Sequence, residues 1–128
     1  MPDEVLGLRV LAADDDPDIL DLISYRLERS GCAVLRATDG EEALVLARRE
    51  LPDLAVLDVM MPKMDGYEVT RQIRSDPATA GIKIILLTAS SQEPDVVKGF
   101  EAGADDYMTK PFSPQELRLR LAAISARR

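Results

Sequence analysis

The sequence predicts an α/β fold built on a parallel sheet. Short apolar runs that are typical of strands alternate with longer segments in which apolar residues recur at helical spacing. Strands that alternate with helices favour parallel pairing, because each helix carries the chain back across a face of the sheet. No low-complexity segment or linker interrupts this alternation. We therefore expect the 128 residues to form one domain, residues 1–128.

The predicted strands are five short apolar runs, read in order as LRVLAA, CAVLRA, DLAVLD, IKIILLTA and DYMTK. The third run is apolar on both faces, as expected of a central strand in a parallel sheet. Helix boundaries are marked by capping residues. Asp16 precedes a proline at the first helical position, and Asp39 and Glu42 have the spacing of a capping box. Gly31 and Gly103 lie where helix C-caps belong.

Composition excludes several classes of function. The net charge of −7 argues against nucleic-acid binding through this domain, since that requires a basic face. No apolar stretch reaches the roughly 20 residues of a membrane span. The single Cys32 fits a reducing compartment. The acidic start lacks an apolar signal core, so we expect a cytoplasmic protein. The sequence contains no histidine, which leaves no Cys/His zinc set and no residue that could carry a phosphohistidine.

Three consecutive carboxylates, Asp14, Asp15 and Asp16, follow the first strand. Two carboxylates about 4 Å apart repel by roughly 4 kcal/mol at an effective dielectric near 20. A bound cation, protonation, a helix N-terminus or wide separation in water would each offset this repulsion. A solvated acidic loop is the simple alternative to a binding site.

Other polar residues follow the remaining strands at the same predicted edge. Asp58 ends the third strand, Thr88 ends the fourth and Lys110 follows the fifth. Ligands of open parallel sheets bind beyond the carboxyl ends of the strands. If these strands are neighbours, Asp14, Asp15 and Asp58 can share Mg²⁺, which prefers oxygen ligands. Asp58 is then a candidate nucleophile toward phosphorus, although a helix cap or a counter-charge to Lys110 would also explain it.

With these residues assembled, the chain resembles the receiver domain of two-component response regulators. The resemblance is carried by VLAADDDPDI, DLAVLDVMMPKMDGYE, IILLTA and GADDYMTKPFSPQEL, and it covers most of the chain. It implies a flavodoxin-like fold, a doubly wound five-stranded parallel sheet with strand order 2-1-3-4-5 and five helices.

The resemblance also implies the roles of individual residues. Asp58 would be the phosphoacceptor. Asp15 would bind Mg²⁺ directly and Asp14 mostly through water, with Asp58 and the carbonyl of Met60 as further ligands and Mn²⁺ as a substitute metal.

Four more positions follow from the same resemblance. Thr88 and Lys110 would contact the phosphoryl group, with a cis bond expected before Pro111. Tyr107 would be an aromatic switch that turns inward when Thr88 moves.

The function implied is phosphorelay signalling. A histidine kinase or histidine phosphotransfer protein would donate the phosphoryl group, and the domain would modify itself without turning over a substrate. The output surface would be the fourth helix, fifth strand and fifth helix. A phosphorylation-dependent homodimer through this face would use the charged residues Lys98, Glu101, Asp106 and Arg120.

Two other functions are consistent with parts of the sequence. A haloacid-dehalogenase-type phosphatase would use Asp14 as nucleophile and Asp16 as general acid and base, but it leaves LDVMMPKMDG unexplained. A receiver-like scaffold that no longer takes phosphate would not need the complete set of Asp, Thr and Lys.

Overall fold

A computed structural model describes residue 5, residues 7–89 and residues 92–126. Strands and helices alternate along these residues as the sequence predicts. In chain order they are β1 (Arg9–Ala13), α1 (Pro17–Arg29), β2 (Ala33–Ala37), α2 (Gly40–Glu50), β3 (Leu54–Asp58), α3 (Gly66–Ser75), β4 (Lys83–Thr88), α4 (Glu93–Ala102), β5 (Asp106–Thr109) and α5 (Pro114–Ser125). In the described part of the chain, no helix is long and apolar enough to cross a membrane.

The strands form one sheet in the order β2-β1-β3-β4-β5, and all four neighbouring pairs are parallel. This confirms the predicted fold class and strand order. The order reverses at β1, which pairs with β2 on one side and with β3 on the other. The carboxyl ends of β1 and β3 therefore flank the switch point, where an α/β sheet of this kind binds its ligands.

Each face of the sheet carries its own apolar layer. One layer joins α1 and α5 to the sheet through residues such as Ile23 and Leu121, and the other joins α2, α3 and α4 through residues such as Ala47 and Ile73. The strand β3 is buried along its whole length, as its uniformly apolar sequence predicts. Burial on both faces fixes the end of β3 rigidly, and Asp58 is at that end.

The helix caps follow the local sequence signals. The Asp16 carboxylate accepts the N–H groups of Asp18 and Ile19 at the start of α1. At the start of α2, Asp39 accepts the N–H of Glu42, while the Glu42 carboxylate accepts the N–H of Thr38. In a capping box the Glu42 carboxylate would accept the N–H of Asp39; here it accepts the N–H of the preceding residue, Thr38.

Arg74 of α3 joins several loops at the amino-terminal edge of the sheet, opposite the edge of the predicted site. Its guanidinium donates to the carbonyls of Gly103, Ala80 and Ile82, and it pairs with Asp105 at 2.7 Å. The same Asp105 carboxylate accepts the N–H of Ile84 in β4. This network lies at the amino ends of β4 and β5, away from the edge that carries the predicted site.

Candidate functional site

Carboxylates from two strands meet at the switch point of the sheet. One oxygen each of Asp14, Asp15 and Asp58 lies within 4.8 Å of the other two. Asp14 and Asp58 are buried, whereas Asp15 is exposed. All the side-chain donors are hard oxygen atoms, which suit Mg²⁺ or Mn²⁺ better than a softer metal. The geometry thus fits a divalent cation that keeps part of its water shell.

Lys110 places its ammonium group between the two buried carboxylates. Its Nζ atom lies 3.0 Å from Oδ2 of Asp14 and 3.1 Å from Oδ1 of Asp58. Burial alone would lower the pKa of Lys110, but hydrogen bonds and charge interactions with Asp14 and Asp58 outweigh burial and raise it. Lys110 therefore stays charged. Its backbone N–H donates to the carbonyl of Thr88 at 2.7 Å, and the Lys110–Pro111 peptide bond is cis.

Asp58 is difficult to ionise in this setting. Burial and the negative charge of Asp14 raise the pKa of Asp58 from 3.8 to about 6, against the opposing effect of Lys110. The group is still mostly ionised at neutral pH. It is a buried carboxylate that is ionised at neutral pH, and carboxylates can act as nucleophiles toward phosphorus.

The three consecutive aspartates have separate structural roles. Oδ1 of Asp14 accepts the N–H of Asp16 at 2.9 Å, and the Asp14 N–H donates to Ala37 at the end of β2. Asp16 caps α1 and does not belong to the carboxylate cluster. Of the three carboxylates in the cluster, Asp15 is the exposed one.

These groups line an open cleft of about 390 Å³. Met60 borders it with a side chain that is 72% exposed. On the β4 side the cleft is lined by Ala89, while the Thr88 side chain is buried. The small Ala89 leaves the cleft open above Asp58. The structure thus brings Asp14, Asp15, Asp58, Met60 and Lys110 to one cleft. Thr88 precedes Ala89, which lines the cleft.

Tyr107 lies inside the domain and not on its surface. The ring packs against Gly99 of α4, where an added Cβ atom would come within 2.9 Å of Cδ2. Its hydroxyl shares a hydrogen bond with Tyr67 of α3, which also donates to the carbonyl of Asp95 at 3.3 Å. Burial and then this hydrogen bond raise the pKa of Tyr67. Tyr67 was not among the predicted site residues, because its contact with Tyr107 depends on how α3 and α4 pack and leaves no local sequence pattern.

Charged residues of the predicted output surface already make contacts within the chain. Arg120 pairs with Asp106 and with Glu116, at 3.2 Å in each case. The Lys98 ammonium lies 4.6 Å from the centre of the Tyr67 ring, and Glu101 is exposed. Any contact with a second copy must therefore compete with pairs already formed inside the chain.

Comparison with known proteins identifies the family. Residues 10–122 match the model of the response regulator receiver domain. The chain belongs to this family. It is also 53% identical, over 95% of its length, to the alkaline phosphatase synthesis transcriptional regulatory protein PhoP of Bacillus subtilis. The receiver domain spans about half the length of the curated relatives it matches, 50% in the case of PhoP.

Solved structures agree with this assignment. A response regulator from Chloroflexus aurantiacus is 40% identical and superposes with a TM-score of 0.90 over 94% of this chain and 99% of its own. The receiver domain of a sensor histidine kinase from Pseudomonas aeruginosa is 32% identical, with a TM-score of 0.87 over 94% and 99%, and is described with a magnesium ion coordinated in its active-site cleft. The present chain is accordingly a receiver domain of two-component phosphorelay signalling.

The raised pKa of Asp58 predicts an unusual pH dependence of stability in the absence of metal. The unfolded chain releases the Asp58 proton near pH 3.8 and the folded domain near pH 6, so ionisation costs folding free energy as pH rises through this range. Asp58→Asn removes that cost. In EDTA, the free energy of unfolding of the variant minus that of the wild type should grow between pH 4 and pH 7 by about 1–3 kcal/mol, as measured by urea denaturation.

Asp39→Asn provides a control of opposite sign. The N–H of Glu42, and then Lys63, hold the pKa of Asp39 below its ordinary value. Its ionised form stabilises the fold, so this variant should lose stability relative to the wild type as pH rises through the range where Asp39 ionises. A constant difference between Asp58→Asn and wild type across the pH range would contradict the assignment of the raised pKa to Asp58.

Proposed function

We propose that Asp58 accepts a phosphoryl group from a phosphohistidine in a Mg²⁺-dependent reaction. The observation that carries the proposal is the Lys110 ammonium 3.1 Å from Asp58, beside a cluster of three carboxylates. None of the 128 residues is histidine, so this domain cannot supply its own donor. The donor is a histidine kinase or a histidine phosphotransfer protein.

In the proposed reaction an Asp58 oxygen attacks phosphorus as the bond from phosphorus to the imidazole nitrogen breaks. The electron pair of that bond leaves with the nitrogen, and the product is an aspartyl phosphate. Lys110 donates a hydrogen bond to one phosphoryl oxygen. The Thr88 hydroxyl donates to a second phosphoryl oxygen after Thr88 moves toward the cleft. Phosphoryl transfer requires mainly such positioning and charge neutralisation.

The proposed metal ligands are the carboxylates of Asp14, Asp15 and Asp58 and the backbone carbonyl of Met60. Their oxygen chemistry and their spacing support Mg²⁺, and Mn²⁺ has similar preferences. The magnesium ion in the cleft of the Pseudomonas aeruginosa relative supports the same choice. When bound, the cation supplies positive charge to the phosphoryl oxygens of the transition state.

The positions of Asp14 and Asp16 argue against the phosphatase alternative. Both carboxylate oxygens of Asp14 are engaged, one by the Asp16 N–H and the other by Lys110. Oδ1 of Asp16 is used to cap α1, and Asp16 does not belong to the carboxylate cluster. We infer a domain that catalyses its own phosphorylation and dephosphorylation and is not a turnover enzyme.

An apolar surface beside the cleft is suited to docking of the donor. Ile19 and Leu22 of α1 face Pro111 and Phe112 of the β5–α5 loop across a small hollow, and Lys110 borders it. Leu22 is 44% exposed. A partner helix that carries the phosphohistidine would bury this surface and bring its phosphoryl group to Asp58.

Output passes through Thr88 and Tyr107. A phosphoryl group on Asp58 adds negative charge and acceptor oxygens close to Thr88. Movement of Thr88 then changes the space around Tyr107 and so the surface formed by α4, β5 and α5. The relatives that the chain matches are transcriptional regulators about twice its length. We propose that residues 1–128 are one receiver domain of a cytoplasmic regulator that controls transcription through another domain, and that this acidic domain itself does not bind DNA.

The phosphoacceptor assignment predicts the site of labelling. Incubation with acetyl phosphate and Mg²⁺ should add one phosphoryl group to the intact mass, and peptide mapping should place it on Asp58. Asp58→Asn should abolish labelling, and EDTA should suppress it in the wild type. Label on Asp14 would support the phosphatase alternative, and no label on any aspartate would support a non-phosphorylated scaffold.

The output face predicts phosphorylation-dependent dimerisation. Val97 and Phe100 of α4 are 44% and 46% exposed, beside the charges Lys98, Glu101, Asp106 and Arg120. Mg²⁺ with beryllofluoride, a mimic of the phosphoryl group, should raise the molar mass measured by light scattering. Val97→Glu should prevent the increase, whereas Val45→Glu, at a similarly exposed valine of α2, should not. A mass that stays monomeric with beryllofluoride would exclude this dimer as the output.

A further inference from the structure

The first residue of α2 lies very close to the loop between β3 and α3. A Cβ atom added at Gly40 would overlap the carbonyl oxygen of Met64 and lie only 2.6 Å from its carbonyl carbon. These are backbone atoms, which cannot rotate away as the end of a side chain can. The φ angle of Gly40 is not in the left-handed region, so the need for glycine here comes from the close approach and not from backbone conformation.

Polar contacts attach the same part of the loop to α2. The N–H of Gly40 donates to the carbonyl of Pro62 at 3.3 Å, and that carbonyl also accepts the N–H of Met64 at 2.8 Å. Asp39, the N-cap of α2, pairs with Lys63 at 3.6 Å. Residues 62–64 are thus held against the start of α2 by one close contact, one hydrogen bond and one ion pair.

The two ends of the loop are joined to each other, and the first end is also attached to the sheet. The N–H of Val59 donates to the carbonyl of Leu87 at 2.8 Å, and the N–H of Gly66 donates to the carbonyl of Val59 at 2.9 Å. Asp58 is therefore positioned by β3 and its neighbour β4. Met60 stands between these attachments and the contact with α2, so its position depends on both.

We propose that Gly40 is a positioning residue of the metal site: its bare Cα lets the β3–α3 loop rest against α2, and this places the Met60 carbonyl for the cation. The inference rests on the proposed ligand set of Asp14, Asp15, Asp58 and Met60. A side chain at position 40 displaces residues 62–64 and moves Met60 with them, while the sheet keeps Asp58 in place. Groups that orient a metal ligand typically change metal affinity by about 10–100-fold when altered.

Gly40→Ala tests the proposal, with Gly81→Ala as the matched control. Gly81 has no atom within 4 Å of an added Cβ and no left-handed φ, so the same chemical change there meets nothing. Isothermal titration with Mg²⁺, without any phosphodonor and at a temperature where both variants are folded, should show a dissociation constant about 10-fold higher for Gly40→Ala. Gly81→Ala should bind as the wild type does.

Labelling by acetyl phosphate separates positioning from a general structural defect. In Gly40→Ala the Mg²⁺ concentration for half-maximal rate should rise by the same factor as the dissociation constant. The rate at saturating Mg²⁺ should match the wild type, because Asp58 and Lys110 keep their places. A variant that is merely less stable, with unchanged Mg²⁺ affinity in its folded form, overturns the proposal.

The outcomes distinguish this inference from the proposed function. Wild-type protein that binds no Mg²⁺ refutes both, whereas wild type and Gly40→Ala that bind equally refute the role of Gly40 alone. Should Gly40→Ala fail to fold, Lys63→Gln takes its place. Loss of that positive charge would by itself strengthen Mg²⁺ binding, so weaker binding supports the attachment of the loop to α2. Unchanged or tighter binding overturns it.

Discussion

The contact of one ammonium group with two buried carboxylates is the constraint on which this site depends. Asp14 follows β1 and Asp58 ends the neighbouring strand β3, and the two buried carboxylates repel each other. Lys110 lies within 3.1 Å of both and offsets part of that repulsion. Burial first, and then the negative charge of Asp14, still raise the pKa of Asp58 to about 6 against the effect of Lys110. A cation at this site would lower the remaining electrostatic cost, which supports the proposed metal ligands and the proposed role of Asp58 as phosphoacceptor.

The fold explains why these groups meet. Parallel strands end at the same edge, and the reversal of strand order at β1 opens a crevice between β1 and β3. Asp58 is held in place because β3 is buried along its whole length. Lys110 directly follows the carboxyl end of β5. The loop that carries Met60 is held both by hydrogen bonds at its ends and by contact with the start of α2. In the proposed metal site, the sheet would therefore place the carboxylate of Asp58, and the contact with α2 would help to place the carbonyl of Met60.

Local signals were sufficient for the elements and for much of the site. The capping role of Asp16, next to Pro17, could be read from adjacent residues, and it separated this aspartate from the cluster. The convergence of Asp14, Asp58 and Lys110 followed from topology, because each residue ends or follows a strand. Contacts between segments that are distant in the chain could not be predicted from local sequence patterns. The hydrogen bond of Tyr67 with Tyr107, the reach of Arg74 to Asp105 and the contact of Gly40 with Met64 depend on how helices pack, which no short sequence pattern specifies.

The most direct test of the central claim is the effect of Mg²⁺ on stability in wild type and in Asp15→Asn. A ligand that binds only the folded state raises the free energy of unfolding by about 2.7 kcal/mol at 100 times its dissociation constant. If the carboxylates are held together to bind a cation, Mg²⁺ should raise the unfolding midpoint of the wild type in a saturable way, and Asp15→Asn should lose most of that increase. An equal response in both proteins, or none in the wild type, would contradict the account.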